Sequence, residues 1–141
     1  VEGAPAGAAC HAARALSRSH PSLAVHVEGD ARAEADPARL RQVLANLLVN
    51  AAQAGARNAW VRVDATGAQA RVLVRDDGPG IPPDLQARLF EPFATGRADG
   101  TGLGLALSRR IVERHGGTLR LDADAARPGA GFELRLPGAS G

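Results

Sequence analysis

Two glycine-rich turns in this chain have the residue types to hold a ligand between them. Asp76-Asp77-Gly78-Pro79-Gly80 sets a carboxylate at the head of one turn, and Gly100-Thr101-Gly102-Leu103-Gly104-Leu105 opens into a helix. Glycine lets the backbone approach a ligand closely and takes φ > 0 without a Cβ clash. A helix start offers unpaired N–H groups and the positive end of the helix dipole to an anion. A carboxylate acceptor on one side and a phosphate cradle on the other suit a purine nucleotide. Either turn alone is a weak sign, because most Gly-rich turns are only turns. Asn46 and Asn50 add a third feature, two amides one helical turn apart. Amides at the edge of an apolar stripe cost free energy unless something pairs with them, so they cap a neighbouring loop or meet a ligand.

The elements that must position these residues are legible along the chain. Residues 4–18 are Ala-rich and read as a helix that His20-Pro21 breaks. Leu23, Val25 and Val27 alternate with polar neighbours, the period of a strand. Asp36-Pro37 is an N-cap followed by proline at the first helical position, and the helix runs to about Ala54 before Gly55. Its Leu40, Val43, Leu44, Leu47, Leu48, Ala51 and Ala52 form a buried stripe, with Arg39, Gln42, Asn46, Asn50 and Gln53 on one flank. Strands are expected over 59–64 and 70–76, with Trp60 packed between elements, then a short helix from Pro82-Pro83-Asp84. Residues 94–99 are polar and read as a mobile flap. The next helix is expected to bury Leu103, Ala106, Leu107 and Ile111 and to end at His115-Gly116-Gly117. Strands over 118–121 and 132–136 follow. The whole predicts a two-layer α/β sandwich, a mixed sheet of about five strands on about three helices. It is one domain, with a core over about 22–137, an N-terminal helix in 1–21 and a flexible tail at 138–141.

Composition narrows the function classes. All 17 basic residues are arginine, which raises the pI to about 9.9 at a net charge of only +2. They are scattered, and aromatics make up 3% of the chain, so the clustered basic and stacking surface of a nucleic-acid binder is missing. The single Cys10 excludes an internal disulfide and is expected to be a small buried side chain. The four histidines have no ligand spacing for a transition metal. No apolar run reaches membrane-spanning length. There is no methionine at all, so the chain is expected to be a piece of a longer protein.

Taken together and in order, these features resemble the catalytic ATP-binding domain of sensor histidine kinases, in the GHKL ATPase superfamily. Asn46-Leu47-Leu48-Val49-Asn50-Ala51 is similar to its N box, Asp76 to Ile81 to its G1 box, Leu89-Phe90-Glu91-Pro92-Phe93 to its F box and Gly100 to Leu105 to its G2 box. The resemblance covers roughly residues 22–137 and implies the Bergerat fold. It implies that Asp76 accepts the adenine amine, with Gly78, Gly80, Ile81 and Phe93 around the ring, and that Asn50 ligates Mg²⁺, for which a neutral oxygen is a suitable donor. It implies Asn46 orienting a metal water or phosphate, Gln53 beside the nucleotide, and Thr101, Gly102, Leu103, Gly104 and Leu105 cradling phosphates. ATP and Mg²⁺ are then the cofactors and ADP the product. Phosphoryl transfer needs mainly positioning and charge neutralisation.

The chain departs from the family pattern in three places. Gln53-Ala54 stands where many relatives carry Lys and an aromatic or His, which is similar to the nitrogen-regulation branch with its short lid. Arg97 stands where that branch usually has a lid lysine, and is expected to supply the positive charge. Gly131 precedes the last strand's Phe132 where relatives often have Ser or Thr. The resemblance implies a cytoplasmic domain that serves a dimerisation and phosphoacceptor domain elsewhere in a homodimeric parent, membrane-bound or soluble, and a response-regulator receiver downstream, with no nucleic acid. A GHKL regulatory module of the anti-sigma-factor type stays open as the alternative; the clamp members usually have much longer lids.

Overall fold

The structure, a computed structural model, describes residues 2–91, 104–122 and 129–138. Strand β1 (Glu2–Gly3) leads into helix α1 (Pro5–Ser19), then strands β2 (Ala24–Gly29) and β3 (Ala33–Glu34). Helix α2 (Pro37–Gln53) and the hairpin β4 (Asn58–Thr66) and β5 (Gln69–Asp76) follow. The short helix α3 (Pro83–Gln86), helix α4 (Gly104–Arg114) and strands β6 (Thr118–Leu121) and β7 (Gly131–Pro137) complete the order. Five strands form one sheet in the order β2-β4-β5-β7-β6, and β1 pairs with β3 apart from it. The sheet is mixed, as expected: β2 runs parallel to β4, and the other pairs are antiparallel. A parallel neighbour needs a long crossover, and α2 supplies it.

Each helix start follows from local chemistry. The Asp36 side chain accepts the N–H of Ala38 at 2.9 Å and Pro37 follows it, so the α2 start lies where the sequence places it. Gly55, at φ +90, leads the chain out after α2. The apolar stripe of α2 buries Leu40, Val43, Leu44, Leu47, Leu48 and Ala51. Against it lie the alternate residues Val61, Val63, Val72, Val74, Leu134 and Leu136 of the sheet. Truncating one of these leucines to alanine costs about 2–5 kcal/mol. Helix α1 packs on α2 and adds Ala8, Ala9, Ala12 and Leu16 to the same core. Among the described residues no helix is long and apolar enough to cross a membrane.

Three side chains lie where the sequence did not put them. Cys10 is exposed rather than buried, on the outer side of α1. Trp60 is 45% exposed and stacks on His26, ring centroids 5.7 Å apart, because odd and even residues of β4 face opposite ways and only Ala59, Val61 and Val63 face the helices. Helix α4 buries Leu105, Ser108 and Val112 while Leu107 is exposed, a face rotated from the expected one, with Ala106 and Ile111 at its edges. The short helix α3 ends at Gln86, three residues before the expected Leu89; the other expected boundaries shift by no more than two residues. The pairing of β1 with β3, between two-residue segments, has no periodicity to announce it. Gly138, first residue of the expected tail, donates its N–H to Ala68 at 2.7 Å; residues 139–141 lie outside the described ones.

The outer sheet face carries a charge ladder. Glu133 accepts from Arg135 at 2.9 Å and from Arg71 at 3.0 Å. These bonds, Arg135 first, hold its carboxyl below the ordinary 4.5 despite partial burial. A depressed folded-state pKa gives stability that is present above the unfolded pKa and is lost as pH falls through the folded one. Glu133→Gln should therefore melt below wild type at pH 7, and the gap should close as both are acidified through and below the ordinary carboxylate range; thermal melts from pH 7 downward measure it. A constant gap at every pH would assign the loss to packing.

Candidate functional site

The described parts of the candidate site stand on different elements, Asp76 at the end of β5 and Gly104 at the start of α4. Asp76 is the last residue of β5, paired to Ala59 of β4, and only 8% exposed. Its N–H donates to the carbonyl of Ala130 at 3.0 Å. Its Oδ1 accepts the N–H of Gly78 at 2.9 Å and that of Ala130 at 3.3 Å. Among the described residues Oδ2 accepts no hydrogen bond, so the backbone fixes one oxygen of the pair. The glycines here are required by contact. Gly129 has φ +85, and a Cβ on it would lie 1.8 Å from the Asp76 carbonyl oxygen. Gly80, at φ +84, passes so close to Gly129 that a Cβ would lie 3.3 Å from its carbonyl oxygen. Sequence reasoning missed Gly129 and Ala130; the Pro-Gly-Ala-Gly run reads only as a loop until β5 and β7 are seen side by side.

Ile81 is part-buried against the core, and its carbonyl accepts from Gln86 Nε2 at 2.9 Å. On α2, Asn50 is part-buried and Gln53 exposed, and both have partners. Asn46 points across to α4. Its Nδ2 donates to Ser108 Oγ at 3.1 Å and to the carbonyl of Gly104 at 3.4 Å. The structure thus brings Asn46 to the helix that starts at Gly104. Ser108 is fully buried and was missed; a serine in an apolar helix face is the signal that could have found it. Leu105 is buried beneath the α4 start. Phe93, Arg97, Thr101, Gly102 and Leu103 lie outside the described residues. Phe90 does not: it meets Phe132 edge-on at 6.2 Å, and the Arg109 guanidinium lies 4.9 Å from its ring centre.

Gly131 also has a local reason. It faces Arg75 across the β5–β7 pair, and a Cβ there would lie 2.6 Å from Arg75 Nη1. Arg75 is 8% exposed and donates to Asp122 Oδ2 at 2.6 Å. The guanidinium fills the space that a side chain at position 131 would take. Next to it, the Asp77 carboxylate is held below the usual range by the backbone N–H of Asn58 first, then by Asn58's side-chain amide and the Arg57 N–H.

Comparison with known proteins agrees with this geometry. Residues 35–140 match the model of the histidine kinase-, DNA gyrase B- and HSP90-like ATPases. The chain belongs to that family and has the fold of its histidine kinase members. It is similar to the sensor histidine kinase ZraS of Escherichia coli O157:H7, 46% identical over 106 residues, covering 74% of this chain and 23% of that one. It is 44% identical over 108 residues to the signal transduction histidine-protein kinase AtoS of E. coli K12, covering 73% and 17%. The chain therefore spans less than a quarter of the length of these relatives. Among solved structures, the mycobacterial sensor histidine kinase MprB superposes with a TM-score of 0.86 at 27% identity, covering all of both chains. The ATP-binding domain of PrrB from Mycobacterium tuberculosis gives 0.83 at 29%, covering 99% of this chain and 98% of that one.

The Asn46–Ser108 contact predicts non-additive mutations. Asn46→Ala strands the Ser108 hydroxyl in the core and should cost about 1–3 kcal/mol. Adding Ser108→Ala removes the stranded group, so the double variant should be no less stable than Asn46→Ala alone. Urea unfolding of the three variants decides this; simple additivity would show that the two side chains do not depend on each other.

Proposed function

We propose that this chain is the ATP-binding catalytic domain of a two-component sensor histidine kinase, holding Mg-ATP for transfer of the γ-phosphate to a histidine in a separate dimerisation and phosphoacceptor domain. The observation that carries the reading is the Asp76 carboxylate: nearly buried, one oxygen fixed by two backbone N–H groups, the other left to a donor, with the Gly78–Gly80 backbone beside it. That is an acceptor for an exocyclic amine beside a planar ring, the need that adenine presents. Gly78, Gly80, Ile81 and Phe93 surround the base in this reading. Gln53, Thr101, Gly102, Leu103, Gly104 and Leu105 hold the triphosphate, with Arg97 giving a charge to its end. Asn50 is the ligand for Mg²⁺, whose part is to neutralise triphosphate charge. The solved ShkA in complex with AMPPNP, at TM-score 0.79 and 30% identity over 96% of this chain, supports a nucleotide in this fold.

The relatives named above are sensor kinases, which supports a homodimeric parent and a response-regulator partner, and a place for this domain in the cytoplasm. No observation favours the anti-sigma-factor reading.

Asp76→Ala should weaken ATP about 5- to 150-fold, the effect of leaving a donor unpaired, while the chain still folds, melting lower because the Gly78 and Ala130 N–H groups lose their acceptor. Asn50→Ala should remove the extra affinity that Mg²⁺ gives. Calorimetric titration with ATP and GTP, each with and without Mg²⁺, tests both. Wild type should prefer ATP; an Asp76 variant that binds ATP as wild type does would sink the adenine assignment.

The chain alone should bind ATP yet not label itself. His26 is held by Asn58 and Trp60, His115 Nδ1 bonds the Ile111 carbonyl at 2.7 Å, and His20 Nδ1 meets Ser19 Oγ at 2.9 Å. None of these, nor His11, has the acidic follower and nearby proline of a family acceptor. Incubation with γ-labelled ATP should give no acid-labile, base-stable label until a phosphoacceptor domain is fused or added. Stoichiometric labelling of the chain alone would contradict the domain assignment.

A further inference from the structure

The side chain of Asp77 does something that the nucleotide reading leaves unassigned. Its Oδ1 accepts the backbone N–H of Arg57 and of Asn58, both at 2.9 Å, and its Oδ2 accepts Asn58 Nδ2 at 3.0 Å. Its own N–H donates to the Asn58 carbonyl at 3.2 Å. Arg57 ends the turn that leaves α2 and Asn58 opens β4, four and five residues beyond Gln53, and the Ala56 N–H of that turn bonds back to the carbonyl of Ala51 in α2. Asp77 heads the loop whose other carboxylate is Asp76. One exposed carboxylate therefore ties the end of the helix bearing Asn50 to the turn bearing Asp76. The tie does not stop at Asn58. Because Asp77 can only accept, Asn58 must turn its Nδ2 to it and its Oδ1 the other way. That Oδ1 lies 3.0 Å from His26 Nε2, which must then carry a proton. His26 stacks on Trp60, the chain's single tryptophan.

We propose that Asp77 is a positioning residue that fixes the spacing between the adenine acceptor Asp76 and the metal ligand Asn50, with Asn58 and His26 completing the tie on the sheet's outer edge. The proposal rests on the reading of Asp76 and Asn50 given above. Mg-ATP engages both ends at once, so it benefits from their fixed separation in the way that any two-point ligand benefits from a rigid host. Adenosine engages only one end and does not need it. Asp77 touches no part of the nucleotide in this scheme.

The test uses the full 141-residue chain with Asp77→Ala, Asp77→Asn and Asp76→Ala. Asp77→Ala should weaken Mg-ATP about tenfold and adenosine less than about threefold, a split set by lost preorganisation rather than lost contact. Asp77→Asn keeps an oxygen for the two backbone N–H groups and should bind Mg-ATP within about threefold of wild type. In that variant Nδ2 of the new side chain faces Asn58, which must turn its amide over; its Nδ2 then faces His26 Nε2, and the ring proton moves to Nδ1. Long-range ¹H–¹⁵N spectra of the histidine ring read this directly, a signature that mere loosening of the fold would not give. Equal loss of Mg-ATP and adenosine in Asp77→Ala, or no loss of either, would overturn the spacing role. An Asn variant as weak as the Ala variant would overturn it too, by making the charge rather than the tie responsible. If Asp77→Ala does not fold, the His26 proton in Asp77→Asn decides: unchanged, it removes the tie. Asp76→Ala separates the two ideas, since unaltered ATP binding there would fell the adenine reading instead.

Discussion

The backbone of Asp76 is gripped from two sides. Ala59 pairs with it in the sheet, and the Ala130 carbonyl accepts its N–H at 3.0 Å. A carboxylate with little access to water is costly unless donors surround it, and here two backbone N–H groups satisfy Oδ1. Those donors come from Gly78 and Ala130, on loops that must both approach without side chains in the way. The left-handed Gly80 and Gly129 answer this need, at the end of the antiparallel β5–β7 pair.

Helix α2 is the second fixed body. Its apolar stripe is anchored in the core, so the polar flank has no freedom to rotate away. Asn46, on that flank, reaches the start of α4 through Ser108 and the Gly104 carbonyl. Phe90 lies between Phe132 and Arg109, and Asn46 holds the start of α4. A nucleotide bound between Asp76 and α4 would thus meet two walls set by the core.

Much of this was legible in the chain. The helix and strand periods, the Asp36-Pro37 start, the order of the asparagine pair and glycine turns, and the mixed sheet all follow from local rules. What was not legible has a common cause. The face of Trp60 depends on which of two alternations meets the core, and the apolar residues of α4 fall on two opposite sides, Leu105 and Val112 on one and Leu107 and Ile111 on the other, so periodicity does not choose between them. Cys10 sits among alanines that look alike on every side of α1. Gly131 has its reason in Arg75, a neighbour 56 positions away that only strand register supplies.

The sequence alone determined the local chemistry: where helices start, where glycine must be, and which amides and carboxylates are candidates for a ligand. Tertiary structure decided how they are shared out. It set one oxygen of Asp76 on the backbone N–H groups of Gly78 and Ala130, turned Asn46 toward Ser108, and set Asp77 on Arg57 and Asn58. Such pairings depend on sheet register and helix rotation, which are fixed by the summed burial of the whole core, and no single stretch of residues contains that sum.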